Sequence, residues 1–395
     1  MNFFNHIQNG TDELIADDRF KDLINNSGKK LRVKLGVDPT RPDLTLGHMV
    51  VLNKLRQFQD LGHQGILIIG DYTAMIGDPA GRSVLRPTLS KEEINKNAET
   101  YLDQAYKILD RSRTEVHRNS DWFEKMSFEE CLNLSRRMTV ARMLERDDFS
   151  KRYKGKMPIS IVEFLYPLIQ GYDSVMIKSD IELGGSDQLF NMLVGRKLQE
   201  EEGLHPQAVI TTPLLVGLDG EKKMSKSLDN YIAFNDPPQE MFGKIMSIND
   251  DLMWDYYRLL LARNEAEINQ MKKDNHPMED KKHLATSLVG LLYDIEVAHQ
   301  QLKNWNAVFS KNQVPKEMPE YFWEDLFSCK NYCILTDLLT ASGLFESKGA
   351  AKRLVQQGAI KINGSKITDP NTLWEKPVEP IVLQSGKRLF FRVIP

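Results

Sequence analysis

The fold is decided by the stretch 31-LRVKLGVDPTRPDLTLGHMVVLNKLRQFQDLGHQGILIIG-70. It begins with the strand-like LRVKLGV and ends with GILIIG, which is continuously apolar, as a strand buried on both faces should be. Between them, apolar side chains recur at helical spacing from Val51 to Leu61, and Gly62 is a suitable stop. Strand, helix and strand in this order predict an α/β fold on a parallel sheet with right-handed crossovers.

The flanking segments predict more helices around this sheet. In 11-TDELIADDRFKDLI-24 an amphipathic pattern predicts a helix capped by the hydroxyl of Thr11. Residues 90–155 are charged and mostly helical in pattern, and we expect 136–156 to project from the sheet.

The second half of the chain differs in character. Residues 238–310 are rich in Glu, Lys, Leu and Met at helical spacing and predict a helical domain. Residues 311–332 contain two prolines and predict a linker. Residues 333–367 then predict a small α-then-β unit of two helices, with a turn at 363-NGS-365.

Composition narrows the class of protein. The chain has 395 residues, enough for two or three domains, and its net charge of −3 is not that of a polycation that seeks nucleic acid. Residues 331–395 nevertheless hold nine Lys and Arg against five Asp and Glu, which permits RNA contact. Cys131, Cys329 and Cys333 form neither a disulfide framework nor a zinc set, and no apolar run could span a membrane. A cytoplasmic protein is expected.

The loop after the first strand is a candidate phosphate site. The chain has neither a Walker loop nor a GxGxxG fingerprint. In 44-LTLGHMV-50, however, Gly47 would let a ligand approach the backbone, and the helix starting near His48 would aim free N–H groups at an anion. A helix-capping His and a packing Gly would explain the same residues without a ligand.

The second candidate is a lysine-rich loop, 222-KKMSKSLDN-230, which contains nothing large enough to pack a core. A solvated surface loop is the ordinary explanation for such a run of charge. The small residues between Lys223 and Lys226 would also permit a flexible lid over a polyphosphate, whose developing charge the ammonium groups would stabilise.

These motifs together resemble a known family. LGH followed far downstream by KMSKS is similar to the signature pair of the class I aminoacyl-tRNA synthetases. The surrounding blocks resemble those of the tyrosyl-tRNA synthetases: 36-GVDPTRPDLTLGHMV-50, 76-IGDPAGRS-83, 164-FLYPLIQGYDSV-175 and 184-GGSDQLFNMLVGRKL-198. The resemblance covers nearly the whole chain.

Three domains are implied by this resemblance. Residues 1–230 would form a Rossmann-like catalytic domain, with a helical insertion at about 115–160 and the KMSKS loop at 223–227. Residues 231–320 would form a helical tRNA-binding (anticodon-binding) domain, and residues 333–395 a small α+β domain similar to the S4 RNA-binding fold.

The resemblance also implies the reaction. The family joins L-tyrosine to AMP with ATP, releases pyrophosphate and then esterifies the 3′ end of tRNA(Tyr). The tyrosine carboxylate is the nucleophile, so positioning and charge stabilisation should supply most of the catalysis.

The implied catalytic residues are Thr40, His48, Arg82, Arg86, Lys223 and Lys226. The implied ATP-binding residues are Asp38, Gly47, His48, Gly185, Asp187 and Lys226. A β-turn would equally explain 184-GGSDQ-188. Mg²⁺ is expected to accompany ATP, without a dedicated protein metal site.

Tyrosine recognition has its own candidates. Tyr166, Gln170 and Asp173 are spaced to share one helix face, which is also what an ordinary solvated face would show. By resemblance the residues around the ammonium and nearby atoms of the amino acid are Tyr166, Gln170, Asp78 and Gln188. Asp173 would accept from the phenol hydroxyl, a hydrogen bond that phenylalanine would leave unmade.

Two positions depart from the family pattern. Thr45 replaces the first histidine of the usual HIGH-type tetrapeptide, and its hydroxyl cannot carry charge. Lys34 lies where many bacterial members have a tyrosine that contacts the substrate phenol. Phenol recognition is therefore expected to rest on Asp173 and a partner that the sequence does not identify.

The basic tail offers a candidate RNA surface. Lys348, Lys352 and Arg353 lie along one predicted helix, where cations would neutralise RNA phosphates without reading sequence. A solvated helix has the same composition.

Three rival functions remain open from the sequence. The first is a tryptophanyl-tRNA synthetase, which would not normally carry an S4-like tail. The second is an RNA-binding or splicing protein that has lost the ability to activate an amino acid, and the third is a nucleotidyltransferase that makes a small-molecule adenylate or cytidylate.

The expected partners are tRNA(Tyr), L-tyrosine, ATP and a second copy of the chain in a homodimer. No membrane partner is expected.

Overall fold

A computed structural model of the protein describes residues 3–26, 28–77, 90–274, 276–310, 318–327, 330–345, 347–386 and 389–395. The chain divides into two compact units, Met1–Ala298 and His299–Pro395.

The first unit is built on one sheet. Its strands are β1 (Leu14–Ile15), β2 (Arg32–Val37), β3 (Gln64–Ile69), β4 (Thr114–Arg118), β5 (Ile181–Gly185) and β6 (Ala208–Thr212). They are hydrogen-bonded in the order β1-β6-β5-β2-β3-β4. All neighbours are parallel except β1, which runs antiparallel to β6. The predicted α/β fold on a parallel sheet is confirmed, with one short antiparallel edge strand added.

Helices surround and extend this sheet. The first nine are α1 (Phe3–Gln8), α2 (Phe20–Asn26), α3 (Leu46–Asp60), α4 (Thr73–Ile76), α5 (Lys91–Ala105), α6 (Ser120–Phe123), α7 (Phe128–Ser135), α8 (Val140–Met143) and α9 (Asp147–Lys154). The next seven are α10 (Ile161–Ile177), α11 (Leu189–Glu201), α12 (Pro238–Ser247), α13 (Asp250–Leu260), α14 (Glu265–Asp274), α15 (Pro277–Leu292) and α16 (Ile295–Ser310). The last of these, α16, begins in the first unit and continues into the second. Among these, α12 to α16 confirm the helical pattern predicted for residues 238–310. Among the described residues, no helix is long and apolar enough to cross a membrane.

The opening strand–helix–strand unit forms because its side chains fit a buried sheet. Every residue of β3 is buried, as its unbroken apolar pattern predicts. The buried side of α3 includes Leu52, Leu55 and Phe58, and the chain leaves the helix through Gly62 at a φ of +93°. This unit places the N-terminus of α3 beyond the carboxyl end of β2.

Two helices behind the sheet approach each other unusually closely. A Cβ added to Gly171 of α10 would lie 2.9 Å from the backbone nitrogen of Gly195 on α11. Only glycine permits this contact, which fixes the face that α10 presents to the carboxyl ends of the strands. At the start of α10, Ser160 and Glu163 form a capping box, and Arg152 pairs with the same carboxylate.

The structure differs from the sequence predictions at the N-terminus and in the insertion. The helix predicted for 11–24 is wrong in extent: Leu14 and Ile15 pair with β6, and the helix starts only at Phe20. The hydroxyl of Thr11 donates to the carbonyl oxygen of Ile7 and caps no helix start. Within the charged 90–155 region, β4 was missed because an edge strand with half-exposed polar side chains lacks an apolar pattern.

The second unit is a small α+β assembly. Its strands are β7 (Glu320–Phe322), β8 (Tyr332–Ile334), β9 (Ile360–Ile362), β10 (Ser365–Ile367), β11 (Leu373–Glu375), β12 (Ile381–Ser385) and β13 (Leu389–Ile394), and its further helices are α17 (Trp323–Phe327), α18 (Leu335–Ala341) and α19 (Lys348–Gln356). Five strands form a sheet in the order β10-β9-β12-β13-β7, and β11 pairs with β8. The predicted turn at 363–365 is confirmed, with Asn363 and Gly364 both at positive φ between β9 and β10.

Part of the predicted linker belongs to this core. Residues 320–322 pair in parallel with β13, and Trp323 is fully buried in the apolar cluster of the unit. The linker prediction is wrong for this segment, because two nearby prolines do not reveal that an intervening aromatic residue will be buried. Cys333 packs in the same cluster, and its thiol is free.

Candidate active site

A cavity of about 360 Å³ opens at the carboxyl ends of the parallel strands. Its walls include Val37 at the end of β2, Gly70 after β3, Gly185 at the end of β5 and Thr212 at the end of β6. Ligands of open α/β sheets bind at this edge. Twelve of the predicted site residues line it: Asp38, Thr40, Gly47, His48, Tyr166, Gln170, Asp173, Gly185, Asp187, Gln188, Lys223 and Lys226.

The N-terminus of α3 forms one wall, with His48 oriented by the helix cap. The backbone N–H of Thr45 donates to His48 Nδ1 at 3.1 Å, and the Thr45 hydroxyl lies 2.9 Å from the same nitrogen. Burial, assisted by the charge of Lys226, lowers the pKa of His48 to about 4. The neutral ring accepts at Nδ1, so its proton is on Nε2, from which it can donate to an anion. Thr45 therefore orients His48 and adds no charge of its own.

The lysine loop forms the facing wall. A Cβ added to Gly47 would lie 3.7 Å from the Cβ of Met224 in the middle of the loop, so the two signature segments are in contact. The Lys226 ammonium donates to the carbonyl oxygen of Asp43 and lies 5.6 Å from the centre of the Tyr101 ring. Burial lowers the pKa of Lys226 to about 8, so the side chain is still mostly protonated at neutral pH.

A buried asparagine holds this loop in place. Asn230 Oδ1 accepts from the backbone N–H of Ser225 at 2.8 Å, and its Nδ2 donates to Asp219 Oδ2 at 2.8 Å and to the carbonyl oxygen of Lys223 at 3.2 Å. One side chain thus ties the two ends of the loop to the preceding turn.

Lys223 reaches the 184–188 segment. Its ammonium forms an ion pair with Asp187 at 2.7 Å. A Cβ added to Gly185 would lie 2.8 Å from Leu214 Cδ2 and 2.9 Å from Asp187 Oδ1, so no larger residue fits there without movement. Asp187, which is expected to bind the ribose of ATP, and Lys223, which is expected to bind its phosphates, are therefore neighbours.

The polar face of α10 forms the deep end. The Tyr166 hydroxyl donates to Asp38 Oδ2 at 2.8 Å, which links the helix to the loop after β2. Asn191 Nδ2 donates to Gln170 Oε1 at 3.0 Å and to Gln188 Oε1 at 3.1 Å. These bonds set the orientation of both glutamine side chains.

Asp173 lies at the bottom and is almost fully buried. Trp122 Nε1 donates to its Oδ1 at 3.0 Å. Burial raises the pKa of Asp173 to about 7, against the opposing charge of Lys34 and the hydrogen bonds of Trp122 and Asn119. Trp122 thus holds one oxygen of this carboxylate, and Asp173 lines the cavity.

Six of the predicted site residues remain. Asp78, Arg82 and Arg86 fall outside the described residues. The three cations predicted to bind RNA are in the second unit on α19, where Lys352 and Arg353 are exposed and Lys348 pairs with Asp337 at 2.6 Å.

Sequence reasoning missed several residues of the cavity. Arg41, Thr73 and Tyr101 line it, and the Thr73 hydroxyl donates to Asp38 Oδ1 at 2.7 Å. A Cβ added to Gly70 would lie 2.1 Å from that same oxygen. The end of the apolar run 65–70 was the available signal for Gly70, since it marks the carboxyl end of a parallel strand. Trp122 had no local signal.

A parallel sheet whose ligand cavity is closed by the start of α3 on one side and by a KMSKS loop on the other is the arrangement of a class I aminoacyl-tRNA synthetase. A sequence model of the class I tRNA synthetases (W and Y) matches residues 26–310. A second, for the SYY-like C-terminal domain of tyrosine–tRNA ligase, matches residues 312–393.

Individual relatives narrow the family. The tyrosine–tRNA ligase of Thermotoga maritima is 52% identical over 386 residues, covering 96% of this chain and 94% of that protein. That of Oleidesulfovibrio alaskensis is 48% identical over 393 residues, covering 98% and 97%. The crystal structure of tyrosyl-tRNA synthetase from Archaeoglobus fulgidus, complexed with L-tyrosine, superposes with a TM-score of 0.62 at 25% identity, covering 76% of this chain and 98% of that one. The chain belongs to the tyrosine–tRNA ligase family.

Proposed function

We propose that this cavity carries out tyrosine–tRNA ligation in two steps. L-Tyrosine and ATP first give tyrosyl-adenylate and pyrophosphate, and the tyrosyl group is then transferred to the 3′ end of tRNA(Tyr). The observation that carries the proposal is the contact of the α3 N-terminus with the lysine loop above the polar face of α10. The cavity that these three elements line is where ATP and the amino acid would bind.

In the first step, a carboxylate oxygen of tyrosine attacks the α-phosphorus while the bond to the β-phosphate oxygen breaks. The charge that grows on pyrophosphate is the main electrostatic demand. His48 meets it with an Nε2–H donor and Lys226 with an ammonium, from opposite walls of the cavity. Thr40 and Lys223 would add donors to the phosphates, and Arg82 and Arg86 remain proposed on the resemblance alone.

ATP would be held by the carboxyl ends of β2 and β5 and by the start of α3. Gly47 and Gly185 allow its phosphates and adenosine to approach the backbone, and Asp187 would accept from the ribose hydroxyls. Since Asp187 is paired with Lys223, ATP binding would exchange that ion pair for contacts of the lysine with phosphate and of the carboxylate with ribose. Asp38, beside Thr40, completes this wall.

The amino acid would lie on α10. Tyr166, Gln170 and Gln188, with Asp78 by resemblance, would surround its ammonium and nearby atoms. Asp173 would accept from the phenol hydroxyl, and Trp122 is the donor that holds its other side in place. A phenylalanine would leave this buried acceptor without a partner, which opposes its binding.

Mg²⁺ would arrive with the phosphates of ATP and neutralise part of their charge. Among the described residues, no group of three or more His, Cys, Asp or Glu side chains is arranged to hold a metal ion. Phosphate oxygens and water would therefore supply most ligands, which suits this cation.

We propose tRNA contact through α19, where Lys352 and Arg353 are exposed, and the cytoplasm as the compartment where the charging takes place.

We also propose a homodimer. Helices α7 to α10 carry exposed apolar side chains, among them Phe128 at 78%, Val140 at 59% and Ile161 at 81% exposure. Apolar side chains this exposed on successive helices are typical of a protein interface.

ATP–pyrophosphate exchange with each amino acid in turn tests the proposed function. We expect exchange with tyrosine and little with phenylalanine or tryptophan. Exchange with tryptophan would favour a tryptophanyl-tRNA synthetase, and no exchange with any amino acid would favour a protein that has lost activation. Exchange without charging of tRNA would indicate a small-molecule adenylate former.

A further inference from the structure

A lysine lies buried beneath the amino-acid end of the cavity. Lys34 on β2 is fully buried, opposite Glu182 on the neighbouring strand β5. Its ammonium donates to Glu182 Oε1 at 2.9 Å, to the hydroxyl oxygen of Ser174 at 2.8 Å and to the carbonyl oxygen of Gln170 at 2.8 Å. A lysine ammonium has three donor hydrogens, and these acceptors use them all. Lys34 therefore has no hydrogen left for a substrate.

Its partner is equally occupied. Glu182 Oε1 also accepts from Gln170 Nε2 at 3.3 Å, and Oε2 accepts from the Ser174 hydroxyl at 3.1 Å and from Gln207. Burying two opposite charges removes the hydration of both, so such a pair is not a general source of stability. Its presence in the middle of the sheet calls for a local explanation.

Gln170 is the point where this network meets the cavity. Its amide nitrogen is committed to Glu182, its amide oxygen accepts from Asn191, and its backbone oxygen accepts from Lys34. A terminal amide that lacked these partners could rotate and exchange its donor and acceptor ends. The network therefore decides which end of the amide faces each wall.

The same lysine holds one turn of α10. It contacts the helix at Gln170 and again at Ser174, and Asp173 lies between these two points. Burial raises the pKa of Asp173, and the positive charge of Lys34 acts against that rise. Gln170 and Asp173 are the two residues of this turn that would contact the amino acid. Both are thus held by Lys34, which does not line the cavity.

We propose that Lys34 and Glu182 are a positioning pair for the amino acid: without touching it, they fix the turn of α10 and the Gln170 amide that contact it. Residue 34 would then act on the tyrosine indirectly, without contacting its phenol. This inference rests on the proposed function, because it assigns Gln170 and Asp173 to tyrosine.

Removing one charge and then both separates positioning from stability. In Lys34→Met, Glu182 loses its cation and three donor bonds are lost, so we expect the tyrosine KM in exchange to rise about tenfold to a hundredfold, with the ATP KM within about twofold. The thermal midpoint should also fall, because a buried carboxylate is left unpaired. In Lys34→Met/Glu182→Gln no buried charge remains, so the thermal midpoint should recover while the tyrosine KM stays raised.

A matched control uses another buried lysine. Lys281 on α15 pairs with Asp250 at 2.5 Å, within the helical part of the unit. Lys281→Met should lower thermal stability without raising the tyrosine KM.

Three results would overturn the positioning role. They are a folded Lys34→Met with wild-type tyrosine KM, a double variant that recovers tyrosine KM along with stability, and a Lys281→Met that raises tyrosine KM equally. A wild-type protein with no tyrosine-dependent exchange would overturn the proposed function as well, and is recognised before any variant is made.

Discussion

At the residue scale, the cavity depends on side chains whose charge is set by burial. His48 is neutral because it is enclosed beside Lys226, and its hydrogen bond with Thr45 directs the remaining proton outward. Lys226 keeps its charge in a partly dry site, where a cation stabilises a developing anion more strongly than in water.

Replacement of Lys226 tests this electrostatic role. In Lys226→Ala we expect adenylate formation to slow about 10²–10³-fold, because a cation that acts on departing pyrophosphate is lost. Tyrosine affinity should be unchanged, since α10 is untouched. Single-turnover measurement of tyrosyl-adenylate separates the two quantities. Lys222→Ala is the matched control, because that side chain is exposed on the same loop. An adenylation rate equal to wild type would remove Lys226 from the mechanism.

A second prediction at this scale concerns pH. Asp173 has its pKa raised to about 7, and only the ionised form is a full acceptor for the phenol hydroxyl. The tyrosine KM should therefore rise as pH falls from 8 to 6, and the ATP KM should change much less. The folded state binds this proton between about pH 4 and pH 7 and the unfolded state does not, so this group lowers stability as pH rises through that window.

The control for this profile is a substrate without a phenol hydroxyl. Binding of phenylalanine, although weak, should not show the same dependence, because it makes no hydrogen bond with Asp173. A tyrosine KM that is flat between pH 6 and pH 8 would contradict the assignment.

At the scale of elements, two segments make the proposed phosphate site. The start of α3 supplies His48 and the lysine loop supplies charge, and Asn230 holds the loop where Met224 touches Gly47. The N–H groups expected to be free at this helix start are largely paired, since those of Leu46 and His48 donate to the carbonyl oxygens of Ile232 and Thr45. The site thus depends on where a helix begins and how a loop is tied, besides the identity of its side chains.

Gly47→Ala tests whether the start of α3 receives a ligand. The added Cβ would lie no closer than 3.4 Å to any protein atom, so the protein itself has room for it. Alanine is also the better helix former, although by less than the ~1 kcal/mol of a helix interior, because Gly47 is the second residue of α3. We expect unchanged or higher thermal stability together with an ATP KM raised about tenfold, because the methyl group occupies the path of the phosphates.

Gly243→Ala is the comparison for that variant. Gly243 lies inside α12, with nothing within 4 Å of an added Cβ. It should show the gain in stability without any change in ATP KM. An equal ATP KM in Gly47→Ala and wild type would argue that Gly47 is a packing residue.

At the scale of the whole molecule, activation and tRNA contact are assigned to different units. The cavity belongs entirely to the first unit, and the exposed cations of α19 belong to the second. Each function should therefore be separately removable.

Charge reversal on α19 tests the tRNA assignment. Lys352→Glu/Arg353→Glu should raise the tRNA KM in aminoacylation by about tenfold or more, and flatten its dependence on salt, because two phosphate contacts are lost. Exchange with tyrosine and ATP should stay at the wild-type rate. Lys330→Glu, an exposed charge reversal elsewhere in the second unit, should change neither. A double variant that charges tRNA normally would exclude α19 from RNA binding.

The homodimer is tested by charging its proposed interface. Phe128→Asp/Ile161→Asp should yield a monomer in sedimentation or light scattering where the wild type has twice that mass, because unpaired carboxylates oppose burial of this surface. Val378→Asp alters an apolar side chain that is 93% exposed in the second unit, and should leave the mass unchanged. A monomeric wild type would refute the dimer.

Local pattern determined the strand–helix–strand unit and the helices of 238–310, and resemblance to the family indicated twelve of the residues that line the cavity. Apolar periodicity predicts local secondary structure, and motif spacing indicates which residues serve one chemical role. Only tertiary structure decided that Trp122 holds Asp173, that Lys34 is buried against Glu182, and that residues 320–327 complete the second core. Each of these depends on contacts between segments far apart in the chain, where burial sets charge, orientation and hydrogen-bond partner, and no local pattern encodes that environment.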